Sequence, residues 1–187
     1  EKEILTTTIL RRLGFLAPET FSVKASVNNI VASYIFQENP EKEMLERNRR
    51  REGPLFEGDE SILWNYRDFQ TLALSNLSLA RLLNKKWAAR GEQSNQMALK
   101  AFLSLQRSYL NRAVTMDLLF RAPFDDGDEF ARFSVVLLAA GGWHSLAPHN
   151  LKFYFNALRM QMESVYYDGN TEYPVLSNQY YLKAAND

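Results

Sequence analysis

Two short stretches hold the side chains best suited to chemistry. Trp143-His144-Ser145-Leu146-Ala147-Pro148-His149-Asn150 contains both histidines of the chain, a serine and an amide. It lies between an apolar run and an aromatic one, and connectors held between rigid elements are where functional side chains concentrate. An imidazole such as His144 can take up a proton near neutrality and act as a general base. The second stretch, Tyr166-Tyr167-Asp168-Gly169-Asn170, closes a strand-like segment. Asp168 follows Asn150 by 18 residues (168 − 150), with a hairpin-like sequence between them. An amide oxygen and a carboxylate are hard donors, and Mg²⁺ takes such donors together with substrate phosphates. Each stretch also has a plainer explanation. The first is then a connector whose histidines cap or pack, and the second a turn, for which Asp-Gly-Asn is well suited.

Three further clusters invite a ligand and are explained more simply without one. Arg47, Arg49, Arg50 and Arg51 suggest a phosphate patch. Residues 41–60, however, hold five basic groups against seven acidic ones, which describes a solvated, ion-paired surface. Asp125, Asp126, Asp128 and Glu129 lack the spacing of a calcium loop and fit acidic capping of a helix N-terminus. Phe153, Tyr154, Phe155, Tyr166 and Tyr167 have no basic surplus beside them, so they read as strand core rather than as a platform for bases.

The elements that must position these groups follow from periodicity. Ile4, Leu5, Ile9, Leu10 and Leu13 predict a helix over residues 2–13, stopped by Gly14. Alternation at Phe21, Val23, Ala25 and Val27, the Asn28-Asn29 turn and the β-rich run 30–37 predict a hairpin. Pro40 opens a charged helix from Glu41 to about Arg51, and Leu55-Phe56-Glu57 forms a short strand. Long helices are expected over residues 66–89 and 93–113, a third over 128–140, and strands over 152–157 and 163–167. The plan is α+β, with one small sheet region at each end of the chain.

Composition sets the outer limits. With 187 residues, 46% hydrophobic and 24% charged, the chain has enough apolar surface to fold and is not disordered. The longest apolar run, residues 133–140, is far short of a membrane span. Lys plus Arg equals Asp plus Glu at 22 each, against the basic surplus of a non-sequence-specific nucleic-acid binder. The absence of cysteine rules out zinc-thiolate sites, thiol catalysis and disulfides. The chain opens on Glu1 rather than methionine, so a preceding segment is expected, with any signal peptide in it.

Several segments resemble the spore-coat-protein-H-like (CotH) kinases. They are Leu13-Gly14-Phe15-Leu16-Ala17-Pro18 before a strand, the Asn28-Asn29 turn, Tyr34-Ile35-Phe36-Gln37-Glu38, and residues 43–58 with Gly53-Pro54-Leu55-Phe56-Glu57-Gly58. Pro148-His149-Asn150-Leu151-Lys152-Phe153-Tyr154 and Tyr167-Asp168-Gly169-Asn170 are similar to that family's active-site end. The resemblance covers both ends of the chain and thins across residues 61–142.

The resemblance implies a protein-kinase-like α+β fold. Residues 1–39 would be a partial small lobe (helix plus hairpin) and its linker, and residues 40–187 a mainly helical large lobe with a catalytic-loop hairpin. Gln37 and Glu38 would sit in the linker that offers backbone groups to adenine. Asn150 and Asp168 would be the two Mg²⁺ ligands, and ATP the phosphoryl donor. The acceptor would be a hydroxyl on an exported, cell-surface or spore-coat protein, with no nucleic acid involved. The family's glycine-rich loop and its lysine would precede Glu1. The catalytic loop also needs an aspartate about five residues before the asparagine. Here Ser145 stands at that place beside His144. Either His144 serves as the base, or the module is a non-catalytic pseudokinase or a structural scaffold.

Overall fold

The computed structural model describes residues 1–59, 79–114, 127–147 and 149–173. Among them it is a mixed α+β structure with five α-helices and two antiparallel sheets. Helix α1 (Lys2–Arg12) leads into the hairpin β1 (Thr20–Val27) and β2 (Ile30–Gln37). Then come α2 (Lys42–Arg47), β3 (Leu55–Asp59), β4 (Leu79–Leu82), the short α3 (Lys85–Ala88), α4 (Glu92–Val114) and α5 (Gly127–Ala139). A 3₁₀ turn at Trp143–Leu146 precedes β5 (Lys152–Asn156) and β6 (Gln161–Val165).

The first hairpin pairs in full register, from Thr20 with Gln37 to Val27 with Ile30, and joins no other strand among the described residues. Asn28 and Asn29 both take positive φ, as a two-residue turn matching the strand twist requires. The second sheet has the order β4-β3-β5-β6. This differs from the expected separate sheet region at each end: β3 pairs directly with β5, so the chain's middle and end share one sheet. The long helix expected over 66–89 is also corrected where it is described. Residues 79–82 form a strand paired with β3, and Asn84 Oδ1 accepts from the Leu55 amide while its Nδ2 donates to Gly53 O. That edge pairing outweighs the helical spacing. Helix α2 ends at Arg47 rather than Arg51, because Asn48 turns its side chain back onto Met44 O and Arg49 adopts φ +58°.

Both faces of the four-stranded sheet are covered. Phe56, Phe153, Phe155 and Met162 face Ala101 and Leu105 of α4, Phe130, Phe133 and Leu137 of α5, and Leu10 of α1. Leu55, Tyr154 and Val165 face Met44 and Leu45 of α2, with Leu16. A sheet buried on both sides needs near-continuous apolar strands, which is why Leu151–Phe155 does not alternate. The α4 face turned to the core carries Ala98, Ala101 and Leu105, while Leu99 and Leu103 are exposed. Small residues let the helix approach the sheet closely. Leu16 forms a parallel bridge to Val165, and the Tyr166 amide donates to Leu16 O at 2.8 Å. Leu10 and Phe15–Ala17 therefore enter the cores that flank the four-stranded sheet.

Candidate functional site

The 3₁₀ turn places His144 and Ser145 side by side. Asn150 Nδ2 lies 3.0 Å from His144 Nε2 and 3.1 Å from His144 O. An amide NH₂ can only donate, so in this pairing His144 Nε2 is the acceptor. Both amide hydrogens of Asn150 are spent on His144, which leaves Oδ1 as the atom able to accept or ligate. Ser145 Oγ donates to Tyr167 O at 2.8 Å, immediately before Asp168. The Ser145–Tyr167 bond thus joins the loop that holds Asn150 to the Asp168 turn across the base of the β5–β6 hairpin.

Asp168 is exposed and takes φ +47°, and Asn170 takes φ +48°. Gly169 between them is buried against Tyr166, where a Cβ would collide with the tyrosine ring and hydroxyl. Burial raises the Tyr167 phenol pKa, and the nearby Asp168 and then Glu57 carboxylates add to the rise.

This turn borders two clefts, Tyr167 lining one and Asp168 the other. The larger, about 790 Å³, lies between Asn39, Pro40, Trp87, Glu57, Lys152 and Tyr167. The other, about 640 Å³, lies between Glu3, Ile35, Gln37, Asp168 and Thr171. Tyr167 and Asp168 are consecutive, and Gln37 and Asn39 belong to one linker, so the same two segments border both clefts.

Glu57 and Lys152, which line the larger cleft, belong to a ladder of charge across the sheet. Glu57 on β3 stands directly opposite Arg81 on β4 and Lys152 on β5 in strand register, and forms ion pairs with both. Lys152 Nζ also lies 4.9 Å above the Tyr167 ring, a cation–π distance. At the linker, the Glu38 amide donates to Glu19 O at 2.9 Å. The Glu38 carboxylate accepts from the Glu19 amide and pairs with Arg47. Gln37 Nε2 donates to Glu3 Oε1 at 3.4 Å.

Among the sequence-level candidates, His144 and Asn150 are in contact, Asp168 is joined to them through Tyr167 and Ser145, and Gln37 shares a cleft with Asp168. Glu38 lies at the linker, bonded to Glu19 and Arg47. Arg47 and Arg50 are in ion pairs, the latter with Glu163 at 2.7 Å. Asp125, Asp126 and the Asp128 side chain fall outside the described residues. Sequence reasoning missed Glu3, Glu57, Lys152 and Thr171. Glu57 and Lys152 did leave a trace, each being a charge directly beside the large apolar residues of its strand, Phe56 and Phe153, where a charge that becomes buried needs a partner.

No group of three His, Asp or Glu residues able to hold a metal occurs among the described residues. A Mg²⁺ ion needs fewer protein ligands, because substrate phosphates and water complete its shell. Asn150 Oδ1 and the Asp168 carboxylate have the right donor chemistry for it. No helix among the described residues is long and apolar enough to cross a membrane. No family model matches the chain, and no curated protein matches it.

Proposed function

We propose that the chain is a kinase-like module that uses Mg·ATP to phosphorylate a hydroxyl on an exported or surface protein. The observation that carries this reading is the pair of contacts His144–Asn150 and Ser145–Tyr167. They join an amide before a hairpin to a carboxylate after it, beside two clefts. The order α1, β1–β2 hairpin, linker, helical body and catalytic-type hairpin agrees with such a fold, as does the bridge from Leu16 to the second hairpin.

Each residue then has a task. His144 holds the Asn150 amide so that Oδ1 is presented, and Asp168 offers its carboxylate from an exposed turn. Magnesium, when bound, neutralises phosphate oxygens, which is most of what phosphoryl transfer asks of its catalyst. Tyr167 and the Asn39–Pro40 end of the linker flank the base, because the Glu38 amide is already paired with Glu19.

One observation favours the non-catalytic alternative. Ser145 stands where the catalytic aspartate is expected and spends its hydroxyl on Tyr167 O, and the His144 Nε2 lone pair is engaged by Asn150. A hydroxyl nucleophile then has no base unless His144 is released.

Thermal melts with millimolar ATP and Mg²⁺ test the binding reading. Ligand at 100 times its Kd stabilises by about 2.7 kcal/mol. Asp168→Ala and Asn150→Ala are expected to remove the Mg-dependent part of that gain. An unshifted melt of the native chain would refute nucleotide binding. Transfer of label from γ-labelled ATP separates the enzyme from the pseudokinase.

A further inference from the structure

Glu3 is the most heavily shared side chain among the described residues, and its partners converge from three parts of the fold. Its Oε1 accepts from the Tyr166 hydroxyl and from Gln37 Nε2. Its Oε2 accepts from Thr171 Oγ1 at 3.0 Å and from the Thr171 amide at 3.5 Å. Tyr166 lies two residues before Asp168 and Thr171 three residues after it. One carboxylate on the first turn of α1 thus grips both flanks of the turn that carries Asp168.

A second bond runs parallel. Thr6 Oγ1, one turn further along α1, lies 2.9 Å from the Tyr173 hydroxyl. On the opposite side Gly141 abuts Glu172, where a Cβ would overlap the Glu172 backbone. Segment 168–173 is therefore held between α1 and the end of α5. Within it, Asp168 and Asn170 take the left-handed conformation that Asp and Asn tolerate in turns, so the segment is a tight turn around Gly169. Gly169 packed on Tyr166 completes the clamp, since the Tyr166 ring is itself fixed by Glu3.

We propose that Glu3 is the positioning residue for Asp168, and that α1 and segment 168–173 move as one body. The consequence for metal binding rests on the kinase-like reading above, whereas the mechanical coupling does not. Displacing α1 would shift Asp168 relative to Asn150, which is held within its own loop by His144 and reaches the turn through the Ser145–Tyr167 bond. The position of α1 then sets the affinity for Mg²⁺ without any change in the cleft that faces the base.

Two measurements on the full chain test this, with Glu3→Gln, Glu3→Ala and Thr6→Val as variants. The first is amide hydrogen exchange. In Glu3→Ala, exchange over residues 168–173 is expected to quicken at least tenfold while β5 and the core of α5 keep native protection. Glu3→Gln, which retains an acceptor oxygen, should recover part of that protection, and Thr6→Val should quicken 171–173 alone. Native protection over 168–173 in Glu3→Ala would overturn the coupling. So would loss spread evenly across the sheet, which would make Glu3 merely structural. The second is a Mg²⁺ titration at fixed ATP. The half-saturating Mg²⁺ concentration should rise about tenfold in Glu3→Ala, with metal-free ATP binding in EDTA unchanged. An unchanged Mg²⁺ requirement would overturn the positioning role. If the native chain binds no nucleotide at all, the kinase-like reading falls, and the exchange data alone decide whether Glu3 governs the turn.

Discussion

The β1–β2 and β5–β6 hairpins begin from the same kind of sequence and end in opposite environments. Each is a pair of short antiparallel strands rich in aromatic and β-branched residues. In β5–β6, Phe153, Tyr154, Phe155, Met162 and Val165 are all buried, under helices on both sides. In β1–β2, Phe21, Val27, Ile30, Val31, Tyr34, Ile35 and Phe36 are all exposed, Val31 by 71%. Strand propensity formed both hairpins, and topology alone decided which of them became core. A β-rich run therefore reports pairing, and its burial must be read from what the rest of the chain can bring against it.

The comparison breaks most visibly in a pair of equivalent truncations. Phe153 is 1% exposed and packs on Phe130 with ring centroids 6.0 Å apart. Phe153→Ala should cost about 3–5 kcal/mol in urea unfolding. Phe36 stacks on Phe21, at 4.8 Å, and half of it faces solvent. Phe36→Ala should cost about 1 kcal/mol or less. Equal losses would mean that the two hairpins share one degree of burial.

Alkaline pH probes the buried side through its tyrosines. Burial, followed by the Glu163 charge, pushes Tyr154 up to about 12. Burial, followed by the Glu3 hydrogen bond, raises Tyr166 further still. Above pH 10 the unfolded chain releases these protons while the folded chain keeps them, so the folded state binds more protons and stability falls as pH rises. Each such group contributes a slope of at most about 1.4 kcal/mol per pH unit between pH 10 and 12, and Tyr167, also raised by burial, acts in the same direction. That stability is fully present below pH 10. Tyr166→Phe should lower the slope, and Phe36→Leu on the exposed hairpin, which removes no ionisable group, should leave it unchanged. An equal effect of the two substitutions would erase the distinction.

The ion pair between Arg50 and Glu163 offers a smaller effect. It ties the turn after α2 to β6, and Asn156 Nδ2 also donates to Glu163 Oε1. Arg50→Met should cost about 1–3 kcal/mol, because a nearly buried carboxylate loses its cation. Arg47→Met, at the exposed pair with Glu38 and Glu19 near the first hairpin, should cost under about 1 kcal/mol.

The same contrast explains how much the sequence disclosed. Local signals were sufficient for α1, both hairpins, α4 and α5, because periodicity, the Asn28-Asn29 turn and Gly141-Gly142 act within a few residues. They failed at β4, whose partner β3 lies more than twenty residues away and whose own run reads as helix. They failed again at the charged ladder, since Glu57 meets Lys152 across 95 residues. For the candidate site, His144, Asn150 and Asp168 were visible as residue types near a hairpin. Glu3 was not, because its meaning lies in Tyr166 and Thr171, more than 160 residues downstream.

The smallest effect belongs to the surface of the first hairpin. Val31 and Ile35 stand on one face of β2, beside Ser33, and both are at least half exposed. Threonine keeps the β-branched backbone preference while removing apolar surface. The double variant Val31→Thr/Ile35→Thr should therefore unfold within about 0.5 kcal/mol of the native chain. It should also scatter less light at high protein concentration, since an exposed apolar hairpin that pairs with no further strand among the described residues promotes strand addition. A loss above about 2 kcal/mol would show instead that this face is packed as tightly as β5–β6. The difference between the hairpins would then lie in what covers them rather than in whether they are covered.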